Sequence, residues 1–226
     1  IWSPDGRQIV FSSRRKAAYQ GLYQKASTGV GTEELLLRED KGTRYPNSWS
    51  PDGQSILYVA APQTNAVLFV LLLSGDRKPY PILKTQFNEV SGQFSPDGRW
   101  IAYASNESGK REVYVAPFPG LGEKRLISTA GGDMHRWQRD GTDIFYLASY
   151  ANTLMAASVN GKGSSFEVGA VKPLFDFRPA WPPGLVPGNL YDVSADGQRF
   201  LINTAIEQAA SRPITVVSNW TALLKK

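Results

Sequence analysis

Phe94-Ser-Pro-Asp-Gly-Arg-Trp-Ile-Ala-Tyr-Ala-Ser105 decides the fold, because four other stretches repeat its pattern. Trp2-Ser-Pro-Asp-Gly6, Trp49-Ser-Pro-Asp-Gly53, Trp137-Gln-Arg-Asp-Gly141 and Val193-Ser-Ala-Asp-Gly197 share its opening, at glycine spacings of 47, 45, 43 and 56. Three residues after each Gly stands Ile9, Ile56, Ile101, Ile144 or Phe200. Five after it stands Phe11, Tyr58, Tyr103, Tyr146 or Ile202, and seven after it Ser13, Ala60, Ser105, Ala148 or Thr204. Apolar residues two apart share one face of a strand. Asp-Gly makes a tight turn, since Gly accepts positive φ and the Asp side chain bonds nearby backbone N–H groups. Each unit therefore opens as strand, turn, strand.

Third strands follow at Gly21–Lys25, Ala66–Val70, Glu112–Ala116, Thr153–Ala157 and Pro213–Val217. More polar fourth strands follow at Glu34–Leu37, Tyr80–Leu83, Lys124–Ile127 and Val171–Phe175. Four antiparallel strands in roughly 45 residues make a propeller blade. The fold class is thus all-β, a β-propeller of four-stranded antiparallel blades with about five blades present. The expected blades are 1–43, 44–88, 89–132, 133–188 and 189–226 of a single domain. A blade buries its faces only against neighbouring blades. Trp2, Trp49, Trp137 and the Tyr58/Tyr103/Tyr146 column are therefore read as packing between blades, and Ser-Pro-Asp-Gly as turn chemistry.

Composition agrees and narrows the function. With 226 residues, 42% hydrophobic and 20% charged, the chain has enough apolar content for a core, which excludes wholesale disorder. Its 21 Gly and 15 Pro stand as isolated punctuation, which suits many short strands and rules out a long helical bundle. Cysteine is absent, so thiol nucleophiles, disulfides and Cys-held metals are excluded. One histidine, His135, leaves a single possible imidazole base. The +5 net charge is scattered, with no basic run longer than Arg14-Arg15-Lys16, so a solvated surface is expected and nucleic acid is not a partner. The longest apolar run, Ala66–Leu73, is too short to cross a bilayer, so this chain inserts in no membrane. The chain opens at Ile1 without a signal segment, and we expect it to begin inside a longer protein or after processing.

The repeat resembles the TolB-like, or PD40 (WD40-like), bacterial β-propeller family over essentially the whole chain. Units four and five depart from that pattern at Gln138-Arg139 and Ala195 while keeping Asp-Gly. Phe94–Gly109, Val113-Tyr-Val-Ala-Pro-Phe-Pro-Gly120, Arg136-Trp137 with Arg139-Asp-Gly141, and Pro213–Val217 with Asn219-Trp-Thr221 look like the C-terminal propeller of bacterial eukaryotic-like serine/threonine protein kinases. That resemblance implies an extracytoplasmic binding or sensor module, tethered by a membrane span outside this chain. The kinase itself is missing, for there is no His-Arg-Asp and no Asp-Phe-Gly. The family's usual six blades imply an incomplete ring cut from a longer protein, with a five-blade ring as the alternative. Two rival readings are a periplasmic TolB-type scaffold of the Tol–Pal system and the propeller gate of a prolyl-oligopeptidase-like serine peptidase.

No Gly-x-Ser-x-Gly elbow accompanies His135, so a triad is not expected. Five acidic residues (Asp5, Asp52, Asp97, Asp140 and Asp196) belong to turns, and no dense acidic loop suggests a metal, so neither catalysis nor a cofactor is expected. The best binding surface lies where innermost strands begin, around the channel opening. Its candidates are Arg44, Tyr45 and Asn47, then Glu89, Ser91 and Gln93, then Asp133, His135 and Arg136, then Asn189, Tyr191 and Asp192. Alternation puts Asn47 and His135 on the side of Trp49 and Trp137, with Ser48, Gln93, Arg136 and Asp192 facing the other way. This polar set, mixed in sign, suits a protein or peptide partner or a small polar ligand. A proline-rich loop around Arg178–Gly188 adds Trp181 as a candidate contact.

Overall fold

The computed structural model describes residues 1–14, 21–38, 42–61, 65–83, 85–120, 122–148, 152–163, 165–178 and 190–204. Trp181, Asn189 and the Pro213–Val217 strand lie outside the described residues. The described residues form strands and turns and no helix.

Sheet one holds β1 (Gln8–Ser13), β2 (Gly21–Ala26) and β3 (Glu34–Leu37). Sheet two runs β4 (Thr43–Trp49), β5 (Ser55–Ala61), β6 (Val67–Leu72) and β7 (Pro79–Pro81). Sheet three runs β8 (Glu89–Phe94), β9 (Trp100–Ser105), β10 (Glu112–Pro117) and β11 (Arg125–Leu126). Sheet four runs β12 (Asp133–Trp137), β13 (Asp143–Leu147), β14 (Thr153–Asn160) and β15 (Glu167–Asp176). Sheet five holds β16 (Tyr191–Val193) and β17 (Phe200–Ile202). Each sheet is an antiparallel meander in chain order, the arrangement of a propeller blade.

The five turns share one backbone. In each, the Gly N–H donates to the carbonyl three residues back at 2.9 Å, and φ at Gly6, Gly53, Gly98, Gly141 and Gly197 lies between 69° and 76°. This is a type I turn closed by a left-handed glycine, which joins strands through a bulge. Ser50 Oγ donates to Asp52 at 2.5 Å and accepts the Ser55 N–H at 2.9 Å. Ser95 does the same with Asp97 and the Trp100 N–H. The serine hydroxyl, then the backbone N–H two residues on, hold the Asp52 and Asp196 carboxyls below the usual range.

Side-chain alternation on the second strand of each sheet explains how the sheets join. On β5, Ile56, Tyr58 and Ala60 pack toward sheet one with Val10 and Leu22, while Leu57 and Val59 pack toward sheet three with Ile101 and Tyr103. On β13, Ile144 and Tyr146 meet Ala102 and Val115 of sheet three, and Phe145 and Leu147 meet Tyr191 of sheet five. Both faces are therefore buried, and each large apolar side chain so placed stabilises by about 1.5–3 kcal/mol. The aromatic columns are packing between sheets at Trp49, Trp137, Tyr58, Tyr103 and Tyr146. Trp2 departs from that expectation, being 62% exposed. Trp49 and Trp137 pack against clusters shared with the preceding sheet, and among the described residues no sheet precedes sheet one.

Candidate functional site

The innermost strands β4, β8 and β12 do not run in simple alternation. Each carries an irregularity: between Pro46 and Ser48, between Val90 and Gln93, and between Asp133 and Arg136. Ser91 and Met134, inside two of these bulges, have φ of 59° and 54°. A bulge inserts one residue and re-aims its neighbours. It divides the candidate residues into two groups.

The first group, at the strand beginnings, is interior. Arg44, Glu89, Asp133 and Tyr191 are all buried, Tyr45 and Asn47 are half-buried, and His135 is fully enclosed. Asp133 is held by Arg111 Nη1 and the Met134 N–H, each at 2.7 Å, and accepts from Ser91 Oγ at 3.4 Å. Burial pushes the Glu89 carboxyl up; Thr85 Oγ donates to one of its oxygens, and the other has no partner. His135 lies against the Ala102 and Ser91 backbone, with neither ring nitrogen in a hydrogen bond of normal geometry. Burial lowers its pKa to about 4, against the pull of Asp133. The Tyr191 hydroxyl and the Asn47 Oδ1 are likewise buried without a partner. These unpaired polar atoms lie in the enclosed interior of the innermost strands, where buried polar groups are normally satisfied.

Ser91, His135 and Asp133 are the nearest approach to a triad, and their order is wrong for one. The serine hydroxyl goes directly to the carboxylate and the imidazole joins neither. The imidazole is not placed to take the serine proton.

The second group converges at the other end of the strands. Ser48 on β4, Gln93 on β8, Arg136 on β12 and Asp192 on β16 line one cleft of about 370 Å³, with Phe94, Trp137, Arg139 and Ser194. Arg136 is 8% exposed, and burial lowers its pKa. Its Nη1 donates to the His135 carbonyl at 2.9 Å. With its amide turned to satisfy both neighbours, Gln93 donates to that same carbonyl at 3.2 Å and accepts from Arg136 Nη1 at 2.7 Å. Asp192 Oδ1 stands 3.8 Å from Arg136 Nε. Ser48 Oγ accepts the Phe94 N–H at 3.2 Å, which ties β4 to β8.

Arg139 is the charged side chain of the cleft that was not among the expected site residues. Arg139 occupies the position that proline holds in the first three units, and that departure from the repeat was the signal for it. Among the described residues no group of three or more His, Asp or Glu side chains stands together to hold a metal ion. What the arrangement does chemically is to offer donors and a buried cation to a ligand.

The sheets are those of a β-propeller whose innermost strands build a polar cleft. No family model matches the chain. The chain is 27% identical over 153 residues to an uncharacterized protein of Agrobacterium fabrum, covering 66% of this chain and 49% of that protein. It is 32% identical over 104 residues to the Tol-Pal system protein TolB of Anaeromyxobacter dehalogenans, covering 46% of this chain and 23% of that one. It thus spans about half the length of the first relative and under a quarter of the second. Among solved structures, TolB from Acinetobacter baumannii superposes with a TM-score of 0.65 at 21% identity, over 91% of this chain and 48% of that one. A puromycin-hydrolyzing peptidase of Mycobacterium tuberculosis superposes at 0.57 with 15% identity, over 84% and 34%. At these identities the structural likeness is one of fold.

Proposed function

We propose that this propeller is a non-catalytic binding module that takes a protein partner, through an extended peptide segment, at the cleft between β4, β8, β12 and β16. The observation that carries the reading is the convergence of side chains from four successive sheets on one cleft around a desolvated guanidinium. A buried charge is costly unless a partner meets it, so a cation kept there points to recognition. The module works outside the cytoplasm, as the C-terminal part of a receptor-type serine/threonine kinase. That placement rests on the motifs from Phe94 to Gly141. A second reading, a scaffold of Tol–Pal type, is favoured by the likeness to the Anaeromyxobacter TolB. The superposed peptidase supports a gate role only if a hydrolase domain shares the polypeptide.

Selection from a displayed random-peptide library, followed by hydrogen exchange on the bound chain, tests the module. Enriched peptides should protect β8 and β12. No enrichment, or protection confined to the outer strands, overturns it. The coding DNA on either side separates the two placements. His-Arg-Asp and Asp-Phe-Gly motifs followed by an apolar stretch of about 20 residues make this a receptor kinase. A signal peptide without a kinase makes it a scaffold.

A further inference from the structure

We infer that the cleft around Arg136 recognises a carboxylate, with Asp192 as a resident counter-ion that the incoming carboxylate displaces. The inference deepens the binding-module reading and rests on it. The argument begins with the donors of Arg136, whose guanidinium carries five N–H groups in a fixed fork. Nη1 is engaged by the His135 carbonyl and the Gln93 amide oxygen. Nε has only Asp192 Oδ1 at 3.8 Å, too long for a hydrogen bond. The pair is also lopsided, with side chains 10% exposed for Arg136 and 74% for Asp192. A carboxylate so open to water is screened, and its Oδ1 is already occupied by the Val193 N–H at 2.9 Å, so it neutralises a buried cation poorly.

The surroundings select the ligand's charge and shape. Arg139 brings a second cation to the same cleft. Ser48 Oγ already accepts the Phe94 N–H, which leaves its O–H to donate. Phe94, Trp137, Val193 and Ala195 supply apolar wall beside these donors. Two cations, a hydroxyl donor and an apolar wall fit a planar anion attached to an alkyl group. The guanidinium fork matches the two oxygens of a carboxylate. The apolar wall favours a carboxylate borne on an alkyl group over inorganic phosphate, which brings nothing to cover that wall. The larger hollow of about 610 Å³ lies between the Asp-Gly turn regions of sheets three and four; it holds a lysine, Lys162, but no guanidinium, and two carboxylates, Asp97 and Asp140, line it. Phe166 lines it beside Trp100, ring centroids 4.9 Å apart, and the Trp100 Nε1 donates to the Gly161 carbonyl.

Calorimetric titration of the whole chain tests this with four probes: acetyl-Gly-Ala-Val as the free acid, the same peptide as the C-terminal amide, sodium acetate and inorganic phosphate. The acid should bind at least about tenfold more tightly than the amide, since only the acid pairs with the fork. Asp192→Asn should tighten the acid several-fold and leave the amide unchanged, because it removes the competing charge. Arg139→Gln should weaken the acid several-fold. Arg136→Lys should lose most of the preference, as an ammonium keeps the charge without the fork. Should that buried substitution fail to fold, the two rim variants decide. If acetate matches the peptide acid, the source is a small carboxylate; if the peptide is far tighter, the source is a chain end.

Equal binding of acid and amide overturns the carboxylate inference and leaves the binding module standing. So does tighter binding of phosphate, or an Asp192→Asn variant that weakens the acid. No probe bound at the cleft, with displayed peptides protecting other strands, overturns both.

Discussion

Sheets three and four build the same turn from different residues. In sheet three, Ser95 fastens it on both sides: its hydroxyl donates to Asp97 at 2.6 Å and accepts the Trp100 N–H at 3.0 Å. In sheet four, Gln138 stands in its place and its amide Nε2 reaches Asp140 only at 3.3 Å, while Thr142 donates a hydroxyl to the same carboxylate at 2.8 Å. The tryptophan column differs in parallel. Trp49 in sheet two donates its Nε1 to the Gly53 carbonyl at 3.1 Å, whereas the Trp137 Nε1 is buried without a partner. Yet both turns close at 2.9 Å, with φ of 74° at Gly98 and 76° at Gly141. Asp and Gly alone define the turn, so the Ser and Pro positions are open to other uses. Sheet four uses one for Arg139, in the cleft.

The largest expected difference between the two sheets is their response to acid. His135 is the chain's only histidine and sits in sheet four with its pKa lowered to about 4, below the ordinary 6.5. As pH falls below about 6.5 the unfolded chain takes up this proton first, so stability declines until the folded imidazole titrates near 4. The loss is on the order of 3 kcal/mol at the bottom of that window. Hydrogen exchange should show β12 losing protection in the window before β8 does. A His135→Leu variant should flatten the decline, and an unchanged slope in that variant would assign the acid response elsewhere.

Substituting the turn glycines should show the sheets alike. Gly98→Val and Gly141→Val each force a β-branched residue to positive φ, at a cost on the order of 1–3 kcal/mol. The added Cβ meets nothing closer than 3.5 Å at Gly98 or 3.9 Å at Gly141, so the cost is conformational in both. Denaturant midpoints should fall by similar amounts. A neutral Gly141→Val would mean that the turn of sheet four does not depend on its glycine.

The smallest effect should separate the sheets again. Ser95→Ala removes two hydrogen bonds at a buried position and should cost about 1 kcal/mol. Gln138→Ala should cost a few tenths, as expected for a weak, exposed contact. Equal costs would contradict the view that only one of these residues holds its turn.

Much of the fold was legible in the repeat. Positive φ at glycine and two-residue alternation on β5, β9 and β13 leave direct marks in sequence. The innermost strands were less legible. Their bulges place Ser91 and Met134 at positive φ, and neither residue type announces it, because tertiary packing holds them there. Alternation did set Ser48, Gln93, Arg136 and Asp192 apart from Asn47 and His135, but it carried no sign of how deep the strand beginnings lie. Arg44, Glu89 and Asp133 lie in the interior, and the open cleft forms at the other end of the strands. Outer-strand length was also invisible, since β15 has ten residues and β11 two, with nothing in the Asp-Gly register to set either.

The serine side chains that cross between neighbouring sheets have a mechanical meaning. Ser12 reaches the Arg44 carbonyl, Ser48 takes the Phe94 N–H, and Ser91 reaches Asp133. Each bond spans a seam between neighbouring sheets, where polar links such as Arg111–Asp133 accompany the apolar contact. Together they link sheets one to four in series through half-buried hydrogen bonds. With neighbouring sheets tied there, the outer strands are free to vary in length and sequence.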